Sequence, residues 1–176
     1  MRKSRIVILL AATVAQLPSG CGWTPLYADI KTEAAGDELR AIKVDPIPER
    51  IGQRLEIALR NSLNPTGDPT PARYRLNTVL AVALSNLGIQ SQGLATLGQL
   101  DATATFRLID LQTGGILLTN TVHVANSFDL NPNQYSTIVG EDDAAVRSVA
   151  ELDQEIVARL TLFMQRRTAE KSAKPA

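Results

Sequence analysis

The sequence predicts an α+β fold: a two-layer sandwich with two helices packed on one face of a four-stranded sheet. Three observations predict it. The middle of the chain holds three long runs in which apolar and polar residues alternate with strand period. A run on either side of these repeats apolar residues at helical spacing. A short Pro-flanked stretch ahead of the first helix reads as one further strand. The order is then strand, helix, three strands, helix, which places neighbouring antiparallel strands beneath helices on a single face.

At 176 residues the chain is one domain by size. Its 44% hydrophobic and 20% charged residues are ordinary globular material. A chain of this length buries roughly two-thirds of its unfolded surface and needs no staple to fold. A single Cys excludes an internal disulfide, and with one His it leaves no Cys/His zinc cluster, so no metal and no cofactor is expected. A formal net charge of zero argues against a nucleic-acid partner.

The N-terminus stands apart from the predicted fold. Arg2, Lys3 and Arg5 are followed by an uncharged run from Ile6 to Leu17, and then by Pro18, Ser19, Gly20 and Cys21. A basic start, a short apolar core and small residues at the cut are the layout of a secretory signal. The apolar run is too short to span a bilayer, which takes about 20 residues. Cys21 sits where a bacterial lipoprotein signal places the cysteine that receives lipid. Several acyl chains there give stable anchoring where one alone is marginal. Pro18 stands where Leu is usual, with Leu17 one place earlier. Gly22 is not the Asp that favours inner-membrane retention, which points to the outer membrane. The expected organisation is a signal peptide over 1–20, a lipidated tether over 21–37, a single α+β domain over 38–168 and a flexible tail over 169–176. Removing the signal leaves 15 Lys and Arg against 18 Asp and Glu, a net charge of −3.

Each element follows from its pattern. The tether holds Pro25 and two Gly, with Trp23, Leu26 and Tyr27 as anchors either for the membrane interface or for the domain. Leu39 to Val44 reads as the first strand, closed by Pro46 and Pro48, and Pro48 suits the first turn of a helix. Ile51, Leu55, Leu59 and Leu63 form the stripe of that helix, which Asn64-Pro65 and Gly67 end. In the second strand Tyr74, Leu76, Leu80, Val82 and Leu84 face one way, against Arg73, Arg75, Asn77 and Ser85. In the third, Leu100, Ala102, Ala104, Phe106 and Leu108 oppose Asp101, Thr103, Thr105 and Arg107. In the fourth, Ile116, Leu118, Val122, Val124 and Phe128 oppose Thr119, Thr121, His123 and Ser127. Thr113-Gly114-Gly115 is a hairpin signal. The join from Asn86 to Gln99 carries no charge and four large aliphatic residues, which suits an extension of the hairpin better than a solvent loop. After Asn131-Pro132-Asn133, the spacing of Ala145, Val149, Leu152, Ile156, Leu160 and Phe163 gives the closing helix. Glu141, Asp142 and Asp143 are expected at its start and Arg166 and Arg167 at its end, matching the helix dipole.

No motif amounts to a catalytic site, and the chain reads as no enzyme. His123 lies on a polar strand face, and the local pattern supplies neither a nucleophile nor an orienting group. Glu141-Asp142-Asp143 lacks the spaced oxygen ligands of a cation loop and reads as a solvated helix start. Gly88, Gly93 and Gly98 lack the Lys-Ser/Thr of a phosphate loop. Recognition is more credible. Arg73, Arg75 and Arg107 share the polar sheet face if their strands are neighbours, and arginine forks grip phosphate or carboxylate bidentately; the alternative is a solvated face of mixed charge that includes Asp101. Arg54, Arg60, Arg147 and Arg159 on the helices read as solubilising.

These features together resemble a known family. The lipoprotein signal followed by Cys21-Gly22-Trp23-Thr24-Pro25-Leu26-Tyr27 is similar to the alphaproteobacterial form of the LPS-assembly lipoprotein family LptE, whose mature start reads Cys-Gly-aromatic-x-Pro-Leu-Tyr. The Ala125-Asn126-Ser127-Phe128 stretch and Asp143-Ala144-Ala145-Val146-Arg147 in the closing helix agree with it, and the resemblance covers nearly the whole mature chain. It implies two helices on a four-stranded sheet, lipidation at Cys21, and a lipid-anchored place in the outer membrane, facing the periplasm and the barrel lumen. It implies a plug within the large β-barrel LptD, which the lipoprotein helps to fold. The pair inserts lipopolysaccharide into the outer leaflet, and some members bind lipopolysaccharide directly without catalysing any reaction. On that reading Arg73, Arg75 and Arg107 would meet lipid A phosphates. The alternative is an outer-membrane lipoprotein that scaffolds another envelope complex. A lipid carrier needs an enclosed apolar cavity, which the two-layer pattern with 4% aromatic residues does not offer.

Overall fold

The computed structural model describes residues 30–89 and 95–173. In chain order these form α1 (Ile30–Arg40), β1 (Ile42–Val44), α2 (Arg50–Leu63), β2 (Tyr74–Ile89), β3 (Ala95–Asp110), β4 (Ile116–Asp129) and α3 (Gln134–Ala173). The four strands form one sheet in the order β1-β2-β3-β4. β1 runs parallel to β2 with α2 as the crossover, and β2, β3 and β4 pair antiparallel. The helices cover one face of the sheet, and the fold is α+β as expected.

The alternation that predicts the strands is the burial pattern of the sheet. Leu100, Ala102, Ala104, Phe106 and Leu108 of β3 are all buried, while Thr103, Thr105 and Arg107 look outward. Tyr74, Leu76 and Thr78 of β2 and Val122, Asn126 and Phe128 of β4 are buried on the same inner side. α2 presents Gly52, Leu55, Leu59 and Leu63 to this surface, and α3 presents Ala145, Val149, Leu152, Ile156, Leu160 and Met164. At 40 residues α3 is about 60 Å long, close to the roughly 53 Å of a 16-residue strand. One helix therefore runs the length of the sheet. The uncharged join does extend the hairpin, since β2 continues to Ile89 and β3 begins at Ala95.

Four local expectations are corrected. Residues 30–40 form α1, where a tether to residue 37 and a strand from Leu39 were expected, and the strand is only Ile42–Val44. Ala35 and Leu39, four apart, turn the same way onto the core, but so short a stripe with Gly36 inside it gives a weak sequence signal. Pro48 lies outside α2: the residue before the helix is Glu49, at φ 68, a region that suits glycine. α3 begins at Gln134, so Glu141, Asp142 and Asp143 lie two turns inside it and cannot act on its N-terminal dipole. The tail expected over 169–176 is helical to Ala173. The signal peptide, Cys21 and the start motif lie outside the described residues.

The β3–β4 turn follows its sequence signal. Gly114 adopts φ 69, and the Asp110 carboxylate accepts from the Gln112 and Thr113 amides. These bonds hold the Asp110 carboxyl below its ordinary pKa, the Gln112 amide first. At the other end of β4 the Phe128 ring lies over its cross-strand partner Gly98, where an added Cβ would come 2.4 Å from the ring. Gly98→Ala should therefore lower stability by about 1–3 kcal/mol through overpacking, read as a lower urea midpoint with an unchanged slope. The same change in a Phe128→Ala background should cost less.

Candidate functional site

Three surfaces carry the candidate residues. The first is the outer face of the sheet. Cross-strand register sets Asn77 opposite Arg107 and Arg75 opposite Ile109, so Arg75 and Arg107 are diagonal neighbours on one face. Arg75 Nε lies 3.8 Å from Asp45 Oδ2, and Asn77 also donates to that oxygen, at 3.3 Å. Arg107 is exposed. Arg73 does not join them. It precedes β2, and its guanidinium pairs with Glu38 of α1 at 3.0 Å and lies 5.6 Å from the Tyr74 ring centroid. The structure thus brings together two of the three predicted arginines. Further along the same face, His123 Nε2 lies 3.3 Å from Asp101 Oδ1, which also accepts from Gln99. The sequence reading found no orienting group for His123 because Asp101 is a diagonal cross-strand neighbour, 22 positions away. Elsewhere the face mixes threonine, alanine and serine with exposed Val79, and Thr105 and Thr121 make a hydroxyl contact of 3.1 Å.

The second surface is an open groove of about 720 Å³ between the start of α2 and the first turns of α3, floored by Leu100. Ile51, Ile138, Val139 and Val146 give it apolar walls, the last three of them exposed. Its charged lining is Arg50 and Arg54, which converge on Asp142 at 2.7 Å and 3.0 Å, together with Glu49, Glu141 and Asp143. Arg54 chiefly, with Arg50, holds the Asp142 carboxyl below its ordinary range. Together these pairs clamp α2 to α3. At the far end of α2 the Ser62 hydroxyl donates to Asp153 at 2.7 Å, and burial pushes the Asp153 carboxyl upward.

The third is the end of the sheet at Tyr74. Its phenol is pushed upward by burial first and then by the Glu38 carboxylate, and its ring is flanked by Arg73 and Arg167. Arg167 lies 3.5 Å from Asp110, so α1, β2, the β3–β4 turn and α3 converge there.

Sequence reasoning undervalued the helix arginines. Arg147 donates to the Ser127 carbonyl at 2.9 Å and pairs with Asp143. Arg159 donates to the Thr121 carbonyl at 2.6 Å and to Asn120 at 2.7 Å. These carbonyls lie on the free edge of β4, so both arginines brace that edge against α3. Between them, buried Asn126 donates to Ser148 at 3.0 Å and to Glu151 at 3.2 Å, while Arg147 donates to its oxygen. Their only sequence signal was polar residues on the inward parity of β4 and on the apolar stripe of α3.

Among the described residues no group of three His, Cys, Asp or Glu side chains is placed to hold a metal ion, and no helix is long and apolar enough to cross a membrane. The fold is a small α+β module with an open outer sheet face and a groove between α2 and α3. The chain belongs to the LptE lipopolysaccharide-assembly family, whose model matches residues 39–160. Several solved structures are similar to this chain. A candidate lipoprotein from Caulobacter crescentus is 22% identical, with a TM-score of 0.60 over 75% of this chain and 96% of its own. Rare lipoprotein B from Shewanella oneidensis is 10% identical, with a TM-score of 0.46 over 74% and 96%. Lipoprotein B from Nitrosomonas europaea is 14% identical, with a TM-score of 0.49 over 75% and 83%. No curated protein matches the chain by sequence.

The two aspartates that join α2 to α3 should respond oppositely to pH. Asp142, with its lowered pKa, contributes stability that is present above the ordinary aspartate range and lost as pH falls through the lowered value. Asp153, with its raised pKa, contributes stability that is present below that range and lost as pH rises through the raised value. At neutral pH Asp142→Asn should be less stable than wild type, with the gap closing on acidification. Asp153→Asn should match or exceed wild type at neutral pH and lose that advantage in acid. Urea unfolding at stepped pH reads both.

Proposed function

We propose that this chain is an outer-membrane lipoprotein, anchored through lipid on Cys21, that plugs and helps to assemble the LptD β-barrel inserting lipopolysaccharide into the outer leaflet. The observation that carries the reading is the LptE family match over residues 39–160, which contains the whole sheet, α2 and most of α3. The protein works by fitting and binding, not by catalysis. Its outer sheet face suits a plug. Between its charged residues it carries many short hydroxyl and methyl side chains, which lie against a polar barrel lining at modest desolvation cost.

Lipopolysaccharide binding is the finer part of the proposal. Arg75 and Arg107 are the pair assigned to lipid A phosphates, with Arg73 held by Glu38 at the margin. The groove offers a second reading for the same ligand, favoured by its apolar walls for acyl chains beside Arg50 and Arg54. The two surfaces lie on opposite faces of the sheet and can be tested apart.

Affinity purification of the tagged full-length protein from detergent-solubilised outer membranes should recover a large β-barrel protein in stoichiometric amount. Recovery of a different envelope complex would favour the scaffolding alternative, and absence of any barrel overturns the reading. Charge-assisted contacts of about 1.5–3 kcal/mol each predict that Arg75→Glu with Arg107→Glu weakens lipopolysaccharide binding at least tenfold. Ile138→Asp should leave binding unchanged. If Ile138→Asp alone weakens it, the ligand occupies the groove.

A further inference from the structure

The groove between α2 and α3 carries charge that the clamp across it leaves unused. Two guanidiniums and four carboxylates line it. Asp142 takes both Arg50 and Arg54, and Asp143 pairs with Arg147. Glu49 and Glu141 remain, one on each wall, and neither has an ion-pair partner among the described residues. With Arg147 counted, Arg50, Arg54 and Arg147 stand against Glu49, Glu141, Asp142 and Asp143. The groove is therefore net negative, and its unpaired groups are both acidic.

Glu49 is held at the mouth against a backbone preference. It precedes α2 at φ 68 and ψ 162, a region where glycine is at home, and its side chain makes no capping bond. Glycine would serve there without strain and at little loss as a cap. What glutamate adds is an exposed carboxylate beside the groove. Between the two free carboxylates the walls are apolar. Ile138, Asp142 and Val146 are four apart and form one stripe of α3, and Ile138, Val139 and Val146 are exposed. Leu100 is the floor, and Leu84, directly opposite it on β2, carries exposed apolar surface onward.

We propose that the groove seats a basic amphipathic segment of the barrel partner. Its apolar side chains would lie toward Leu100 and Val146, and its Lys or Arg toward Glu49 and Glu141. The apolar walls supply the seat and the free carboxylates choose the sign of the partner. An anionic ligand fits this groove poorly. Both lining guanidiniums are engaged by Asp142, and a phosphate at the mouth would meet two free carboxylates. The inference rests on the barrel reading, with lipopolysaccharide on the outer sheet face and not in the groove.

The test places a photo-crosslinking side chain at position 146 of the full-length chain in cells, purifies the protein from detergent-solubilised outer membranes and maps the adduct by mass spectrometry. The expected adduct joins position 146 to a segment of the barrel protein that carries Lys or Arg among apolar residues. Glu49→Lys with Glu141→Lys should lower its yield about tenfold, since each reversal turns an attraction into a repulsion. Glu49→Gly separates charge from folding. It removes the carboxylate and the strain together, so the yield should fall while the thermal midpoint stays at or above that of wild type. An adduct with lipopolysaccharide overturns the inference and leaves the barrel reading standing if the barrel still co-purifies. A co-purifying barrel with no adduct, an adduct to a barrel segment without Lys or Arg, or a yield indifferent to the charge changes does the same. Absence of any barrel overturns both.

Discussion

The inward face of β3 is the constraint that places everything else. Leu100, Ala102, Ala104, Phe106 and Leu108 are essentially removed from solvent, and no single neighbouring element is wide enough to cover them. Burying each of Leu100, Phe106 and Leu108 there is worth about 1.5–3 kcal/mol, so every other element is fixed by its share of the cover. α3 spans the sheet lengthwise, α2 closes the side nearer β1, and α1 fills the corner at Tyr74. The alanines at 102 and 104 leave the middle of the strand low, with bulk at either end in Leu100 and Phe106.

Polar contacts then fix where the cover sits. Hydrophobic burial alone would let two helices slide along an apolar sheet. Three contacts remove that freedom: Arg50 and Arg54 on Asp142, Ser62 on Asp153, and the Asn126 amide on Ser148 and Glu151. The first is largely exposed and weakened by salt. The last is buried, so a slip would leave an amide without a partner, at a cost of about 1–3 kcal/mol. Asn64 acts similarly at the end of α2, donating to the Ile42 carbonyl at 2.7 Å and tying the helix to the short strand it follows.

How far the sequence could be read depended on whether a residue's role was set by its near neighbours. Strand alternation is local, so β2, β3, β4 and the side each one buries were legible, as was the hairpin extension from its missing charges. The stripes of α2 and α3 were legible for the same reason. α1 was not, because Ala35 and Leu39 make too small a stripe to stand out around Gly36. The acidic trio of α3 looked like a helix start because the apolar spacing begins at Ala145, although the helix itself begins at Gln134. Arg147 and Arg159 were read as surface residues because their partners on β4 lie 20 or more positions away. The arginine face was half legible: strand parity placed Arg75 and Arg107 together, but it could not show that α1 would bring Glu38 to Arg73.

The docking of α1 bears on the order in which the chain can be completed. Residues 30–40 leave a ribosome or a translocation channel well ahead of residues 134–173, yet α1 packs against α3 and against the Tyr74 corner that Arg167 and Asp110 close. The β2–β3–β4 meander and α3 can associate through contacts between consecutive elements. The first of the described helices must wait for the last, so α1 finds its complete seat only after α3 has emerged.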